Sequence, residues 1–322
     1  MKKVICFGEA LIDFLNTGKD LSDGVELNNF CQYPGGAPAN AAVAIAKLGG
    51  NAHFLGQVGD DVFGHFLQKS LVHYGVNTEH LFKHLSAKTA LAFVMRDANG
   101  ERSFSFYRDR SADVIFESSQ IPQSLFDQQG LFHFCSNTLT DPTICKTTQT
   151  AIEMAKSADY KISFDVNLRH NLWREGYVDI NLTNSFVSQA HILKFSKDEL
   201  DYLCKGEELA YIEKCLAHQC ELLIITNDGD PIRYFTRFIS GKISAPEVDV
   251  IDTTAGGDGF IGGLLFLLGQ INNIDEFCKN EQQVQQLISF AAACGAIAVT
   301  RLGAFPALPV FDDVKNTYPE FL

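Results

Sequence analysis

The stretch Asp252-Thr-Thr-Ala-Gly-Gly-Asp-Gly-Phe-Ile-Gly-Gly263 sets Ala255, Gly256 and Gly257 directly before a carboxylate, Asp258, and opens an apolar run. Phe260, Leu264, Leu265, Leu267 and Leu268 follow at the spacing of a buried helix, which places Asp258 in its first turn or at its cap. The first amides of a helix have no intrahelical partner and stand at the positive end of its dipole, so small residues there let an anion approach the backbone. An aspartate in such a position most often only caps its helix. One glycine would serve that turn, and three consecutive small residues ask for more. With a phosphoryl group on those amides, Asp258 could accept the proton of an attacking hydroxyl.

A second constellation lies near the N-terminus. In Tyr33-Pro-Gly-Gly-Ala-Pro-Ala-Asn40, Gly35 and Gly36 mark a tight turn, and Pro38 and Asn40 stand at the start of a strongly helical stretch. Asn40 can donate and accept, as sugar hydroxyls require, although a helix cap would use it equally well. Asp13 follows Gly8 at the end of the first strand, on the side where α/β sheets bind ligands.

Such groups need a scaffold. Strand-like runs at 3–8, 52–59, 130–136, 161–167, 190–196 and 221–226 alternate with helical patterns, which predicts a parallel sheet covered by helices on both faces. Two segments break the rhythm: 11–34, polar and irregular, and 88–110, whose two alternating runs flank Ala-Asn-Gly-Glu at 98–101 like the arms of a hairpin. The expected organisation is a core of 1–10, 35–87 and 111–322 carrying the candidate catalytic site, with 11–34 and 88–110 as a small β-sheet lid. The alanine-rich C-terminal helix breaks at Gly303 and Pro306 into a loop able to expose several carbonyls together.

The net charge of −13 is spread along the 322 residues with no Lys/Arg block, which argues against nucleic acid. Nine scattered cysteines, none spaced C-x-x-C, read as small buried hydrophobes of a reducing cytoplasm. Glu9 and Asp13 interrupt the first apolar segment, and the longest apolar run, 259–269, is too short for a membrane span, so no membrane association and a cytoplasmic location are expected.

Together, GGAPAN, the following GQVGDDVFG (56–64) and the late DTTAGGDGFIGG resemble the paired signatures of the ribokinase-like sugar kinases, the PfkB family, over essentially the whole chain. The resemblance implies an α/β fold, a three-layer α/β/α ribokinase-like (Rossmann-like) core with a small β-sheet lid, and ATP-dependent phosphorylation of a sugar hydroxyl with Mg²⁺. It implies Asp258 as general base, the amides of Ala255, Gly256 and Gly257 as anion hole, and Asp13, Gly35, Gly36 and Asn40 as sugar contacts. Arg108 and Arg169 are expected near the sugar or the transferring phosphate. Asp252 and Thr254, with carbonyls near Ala298, Arg301 and Gly303, resemble the family's monovalent cation site, suited to K⁺.

Ser196-Lys-Asp-Glu199 stands where the family has Asn-x-x-Glu, with Glu199 organising Mg²⁺ through water. Thr226-Asn-Asp-Gly-Asp-Pro231 replaces Thr-x-Gly-x-x-Gly, so Ser196, Thr226, Asp228, Gly229 and Gly257 are the implied ATP contacts. Ala255 takes the place of a glycine, which leaves the amides usable unless residue 255 needs a positive φ. CFGEALIDF, ERSFSFYR and FDVNLRHNLW look most like bacterial fructokinases, which implies conversion of D-fructose to fructose 6-phosphate. A 2-keto-3-deoxygluconate kinase, pairing arginine with a carboxylate, is the alternative, ahead of a ribose or nucleoside kinase. A non-catalytic sugar- or nucleotide-binding regulator on the same fold is the reading from another class. An exposed lid edge further suggests a homodimer through the lid.

Overall fold

In the first strand Val4 and Cys6 belong to one apolar layer and Ile5 and Phe7 to another, and all four are fully buried. A strand covered on both faces is what a parallel sheet between two helical layers requires. The computed structural model describes residues 1–96 and 102–321, so the turn expected at 98–101 lies outside the described residues. The first part of the chain runs β1 (Lys3–Phe7), β2 (Leu11–Ser22), β3 (Val25–Gly35), α1 (Ala37–Lys47), β4 (Ala52–Gly59), α2 (Val62–His73), β5 (Asn77–His84), β6 (Leu91–Arg96) and β7 (Arg102–Tyr107). It continues with β8 (Gly130–Cys135), α3 (Pro142–Ser157), β9 (Lys161–Asp165), α4 (Ile180–Val187), β10 (Ile192–Ser196), α5 (Lys197–Cys204), α6 (Glu208–Ala217) and β11 (Leu222–Thr226). The last part is β12 (Ile232–Phe235), β13 (Ser240–Ile243), α7 (Gly256–Leu268), α8 (Ile274–Phe277), α9 (Glu281–Val299) and α10 (Phe311–Thr317).

Nine strands form the main sheet in the order β13-β12-β11-β10-β9-β8-β1-β4-β5. From β5 to β11 all neighbours are parallel, and β12 and β13 close the edge antiparallel. The chain builds outward from β1 first through β4 and β5, then returns to β8 and builds the other way. That reversal leaves a crevice at the carboxyl ends of β1 and β8, where open α/β sheets hold ligands. One apolar layer joins α1, α2, α7, α8 and α9 to the sheet, and the opposite layer joins α3, α4, α5 and α6.

Helix α7 seats unusually close to its neighbours. A Cβ on Gly262 would lie 2.3 Å from the Ala44 Cβ of α1, and one on Gly263 would lie 2.7 Å from the Cys294 Sγ of α9. The glycines beyond Asp258 thus serve packing, and that packing fixes where the N-terminus of α7 points.

Residues 11–34 are not irregular. They form two long strands, β2 and β3, paired in sequence register except for one irregularity between Asn16 and Gly18. Beyond Leu15 most of β2 and β3 is solvated, with even Leu21, Val25 and Leu27 exposed, so the alternating burial that marks a half-buried strand is missing. β2 and β3 join β6 and β7 in a separate four-stranded sheet, ordered β3-β2-β6-β7.

Candidate active site

Asp258 is the third residue of α7, behind Ala255 at the cap position, and no side chain caps this helix. Its Oδ2 instead accepts a 2.6 Å hydrogen bond from Asn40 Nδ2, across from α1. Asn40 likewise does not cap its helix, since Gly36 occupies that position. Both polar side chains are buried. Ala255 has a φ of −104°, so alanine fits there without strain and the first-turn amides keep their orientation. A Cβ on Gly256 would lie 2.7 Å from Val299 Cγ1, whereas one on Gly257 would find only Lys194 Nζ, at 3.6 Å. The backbone at Gly257 is therefore open on the side that faces a buried ammonium.

The two glycines before α1 have separate reasons. A Cβ on Gly35 would fall 2.0 Å from Asp13 Oδ2, so the missing side chain is what lets that carboxylate lie against the backbone. Gly36 has a φ of 103°, and its Cβ would meet the Glu9 carbonyl at 2.5 Å.

Asp13, Gly36, Asn40, Arg169, Thr254 and Asp258 line one cavity of about 470 Å³ at the carboxyl end of the main sheet. Gly35 stands behind Asp13. Phe104 and Phe106 of β7 reach the same cavity from the small sheet. The cavity also contains Glu9, Asn137 and Asn167, which the sequence did not single out. Glu9 had a visible signal, a carboxylate right after the glycine that ends β1. Asn137 had none, since it comes from a short turn after β8 and gains its role from its neighbour in space.

Arg108 does not line the cavity. It is buried, with Nε donating to Asp113 Oδ2 at 2.6 Å, Nη1 and Nη2 each donating to the Asn137 carbonyl at 3.0 Å, and Nη1 also reaching Thr140 Oγ1. Asn137 Nδ2 in turn donates to Glu9 Oε1 at 2.8 Å. Arg108 thus holds the wall of the cavity from behind.

Below Gly257 lies an ion pair on adjacent strands: Lys194 Nζ donates to Asp165 Oδ1 and Oδ2 at 2.9 and 3.0 Å, with both side chains buried. A lysine inside the apolar strand HILKFS was the signal for it in the sequence. Burial alone would lower Lys194, but the Asp165 carboxylate holds it above its ordinary value. Burial pushes Asp258 up to about 7, with the charge of Asp165 acting in the same direction against Asn40, Arg169 and Lys194. Burial, followed by the charge of Asp258, also pushes Asp13 up to about 7, against Arg169. Two raised carboxylates in one cavity make these groups candidates for proton transfer near neutrality.

Ser196 and Thr226 stand in register at the ends of β10 and β11. Ser196 Oγ accepts from the Glu199 amide at 3.2 Å and Glu199 Oε2 accepts from the Ser196 amide at 2.8 Å, a capping box for α5. Glu199 Oε1 accepts from the Leu168 amide at 2.8 Å, so the glutamate also ties the loop after β9 to α5. Asp228 and Gly229 lie on an exposed turn beyond Thr226, with Asp228 at a φ of 43°.

The buried Asp252 accepts from the Thr254 amide at 2.8 Å through Oδ1 and from the Gly303 amide at 3.1 Å through Oδ2. It thereby clamps the loop leading to Ala255 onto the C-terminal loop. The Arg301 amide donates to the Ala298 carbonyl at 3.3 Å, and the Arg301 side chain turns away to Asp313. Among the described residues no cluster of three or more His, Cys, Asp or Glu side chains is arranged to hold a metal. An ion at the Asp252 turn would thus be held by one carboxylate with backbone and hydroxyl oxygens, a donor set suited to a weakly bound hard cation.

A family model described as pfkB family carbohydrate kinase matches residues 1–310. The chain belongs to this family. Among pfkB kinases it is similar to a fructokinase of Xylella fastidiosa solved with bound ATP, at 38% identity and a TM-score of 0.91 over 99% of each chain. A fructokinase of Vibrio cholerae O395, solved with fructose, ADP and calcium, is 33% identical with a TM-score of 0.85 over 96% of each chain. A double mutant of that enzyme was solved with fructose, ADP and potassium. The probable fructokinase-5 of Arabidopsis thaliana is 38% identical over 315 residues, 97% of this chain and 96% of its own length.

Proposed function

We propose that this kinase transfers the γ-phosphoryl group of ATP to D-fructose, giving fructose 6-phosphate. The observation that carries the choice of substrate is the polarity of the cavity. Glu9 Oε2, Asn40 Oδ1 and Asn137 Oδ1 are buried acceptors without a partner, which calls for a ligand rich in hydroxyl donors. Of the two arginines that could pair the carboxylate of 2-keto-3-deoxygluconate, Arg108 is already committed to Asp113 and Asn137, while Arg169 lines the cavity. The fructokinase relatives support the same reading.

Asp258 takes the proton of the sugar hydroxyl as its oxygen attacks in line, and the first-turn amides of α7 receive the phosphoryl charge. ATP extends from Gly257 along Ser196 and Thr226 toward Asp228 and Gly229. Glu199, both of whose oxygens already accept backbone amides, would hold Mg²⁺ through water, and the bound ion would supply further charge neutralisation. K⁺ held by Asp252, Thr254 and the carbonyls near Ala298, Arg301 and Gly303 would order the turn that presents the anion hole. Residues 11–34 and 88–110 act as a lid, with Phe104 and Phe106 keeping water from the sugar. Its solvated strands pair with a second copy in a homodimer. The protein works in the cytoplasm, and among the described residues no helix is long and apolar enough to cross a membrane.

Incubation with Mg-ATP and a panel of fructose, 2-keto-3-deoxygluconate, ribose and nucleosides, following ADP release, tests the substrate. Fructose should give the highest kcat/KM, and preference for the keto acid would refute the reading. Tight binding of one sugar without turnover of any would point to a regulator instead.

Two further outcomes follow from the site. First, kcat/KM for fructose should fall about tenfold per pH unit below about 7, as Asp258 and Asp13 titrate as an interacting pair. Since their folded pKa values lie above the ordinary 3.8, the folded state binds more protons than the unfolded state between those limits. The ligand-free protein should therefore lose stability as pH rises from about 4 to about 7, seen as a falling Tm. A flat activity profile from pH 5 to 8 would contradict the base assignment. Second, Gly35→Ala should raise the fructose KM by at least about tenfold by displacing the Asp13 carboxylate, since a hydrogen bond to a charged group contributes ~1.5–3 kcal/mol. Steady-state kinetics and an unchanged far-UV spectrum check that expectation.

A further inference from the structure

Glu9 and Asn137 leave β1 and β8, the two neighbouring strands at which the sheet reverses its build, each two residues beyond the strand's end. They are joined by the 2.8 Å bond from Asn137 Nδ2 to Glu9 Oε1, and the Ala37 amide adds a 3.3 Å bond to the same oxygen. Each therefore has its orientation fixed by one polar atom while the other, Glu9 Oε2 and Asn137 Oδ1, remains buried without a partner. Both residues line the cavity that holds Asp258. Arg108 fastens the Asn137 main chain, and Arg108 is itself fastened by Asp113, whose Oδ1 accepts from Ser111 Oγ.

A buried, unsatisfied acceptor costs stability, and two held side by side through Ala37, Arg108, Asp113 and Ser111 form a device that a core would not retain for packing. We infer that Glu9 and Asn137 are the specificity-determining pair of this site, together accepting hydrogen bonds from two non-reacting hydroxyls of the bound sugar. The assignment rests on the kinase reading above and adds to it the residues that select a polyol. Burial raises Glu9, with the charge of Arg108 and the hydrogen bond from Asn137 opposing it in favour of the carboxylate form. A site built to accept from a hydroxyl rejects the analogue that lacks it far more strongly than an apolar pocket could, because the acceptor is then left buried and unpaired. Arg108 acts here as a positioning residue, through Asn137.

The test pairs Glu9→Gln and Asn137→Ser with fructose and its monodeoxy analogues lacking one non-reacting hydroxyl each, with Mg-ATP throughout. Asn137→Ser leaves the Arg108 contact in place, since that contact is to the main-chain carbonyl. Glu9→Gln should raise the fructose KM about 10- to 100-fold with kcat within about threefold. For one monodeoxy sugar the same substitution should add no further loss, because the hydroxyl and its acceptor form a single interaction. Asn137→Ser should show the same pattern with a different deoxy sugar. Losses of equal size across all analogues, or wild-type enzyme that turns over every deoxy sugar as well as fructose, would overturn the pair. Absence of fructose turnover by the wild type would instead remove the kinase reading beneath it.

Discussion

Asp258→Asn should lower kcat for fructose phosphorylation by about 10²–10⁴-fold, the usual range for removing a general base. The substitution keeps the size of the side chain, and its amide oxygen can still accept from Asn40 Nδ2, so the fold and the packing of α7 should persist. The KM for fructose should change little, since the base acts on the proton that leaves as the phosphorus-oxygen bond forms. Steady-state kinetics beside a thermal melt would show it. A loss below about tenfold would mean that proton transfer does not limit the reaction or that another group takes the proton.

The second large effect is on stability. Lys194→Met should destabilise the protein by about 3–5 kcal/mol, because it leaves the Asp165 carboxylate buried without its cation. The double variant Lys194→Met with Asp165→Leu should recover most of that loss, since an apolar pair of similar volume replaces two charges at the cost of neither being stranded. Denaturant titration of the single and double variants measures both. Equal destabilisation of the two would show that the packing of the lysine stem, and not the ion pair, matters there. Because Lys194 faces Gly257 and opposes the rise of Asp258, the stable double variant should also show its acid limb of activity displaced. Removing Asp165 lowers Asp258 and removing Lys194 raises it, so the sign of that displacement reports which partner dominates.

Much of the candidate site was legible from the chain because its residues sit at turns whose residue types are constrained locally. Ala255-Gly256-Gly257-Asp258 and Gly35-Gly36 announce close backbone approach, and the structure gives each a reason: an open face at Gly257, a carboxylate against Gly35, a positive φ at Gly36. The parallel sheet was equally plain, since fully buried strands are apolar on both faces. Three things could not be read. The long β2–β3 ribbon is largely solvated beyond Leu15, with Leu21, Val25 and Leu27 exposed, so burial imposes no alternation on its sequence. Arg108 looked like a ligand contact, but an arginine's target depends on which acceptors the fold brings near it, here Asp113 and the Asn137 carbonyl. Ser196 and Glu199 also make a complete capping box for α5, a structural role that the likeness to Asn-x-x-Glu does not announce.

The most direct test of the whole account follows the γ-phosphoryl group itself. Wild-type protein and Asp258→Asn, each with Mg²⁺, γ-labelled ATP and fructose, are quenched over time and the labelled sugar ester is identified by its NMR spectrum. Label should appear in fructose 6-phosphate with the wild type, at a rate reduced by about 10²–10⁴-fold in the variant. Label that stays in ATP, passes only to water, or reaches fructose equally fast without Asp258 would contradict the account.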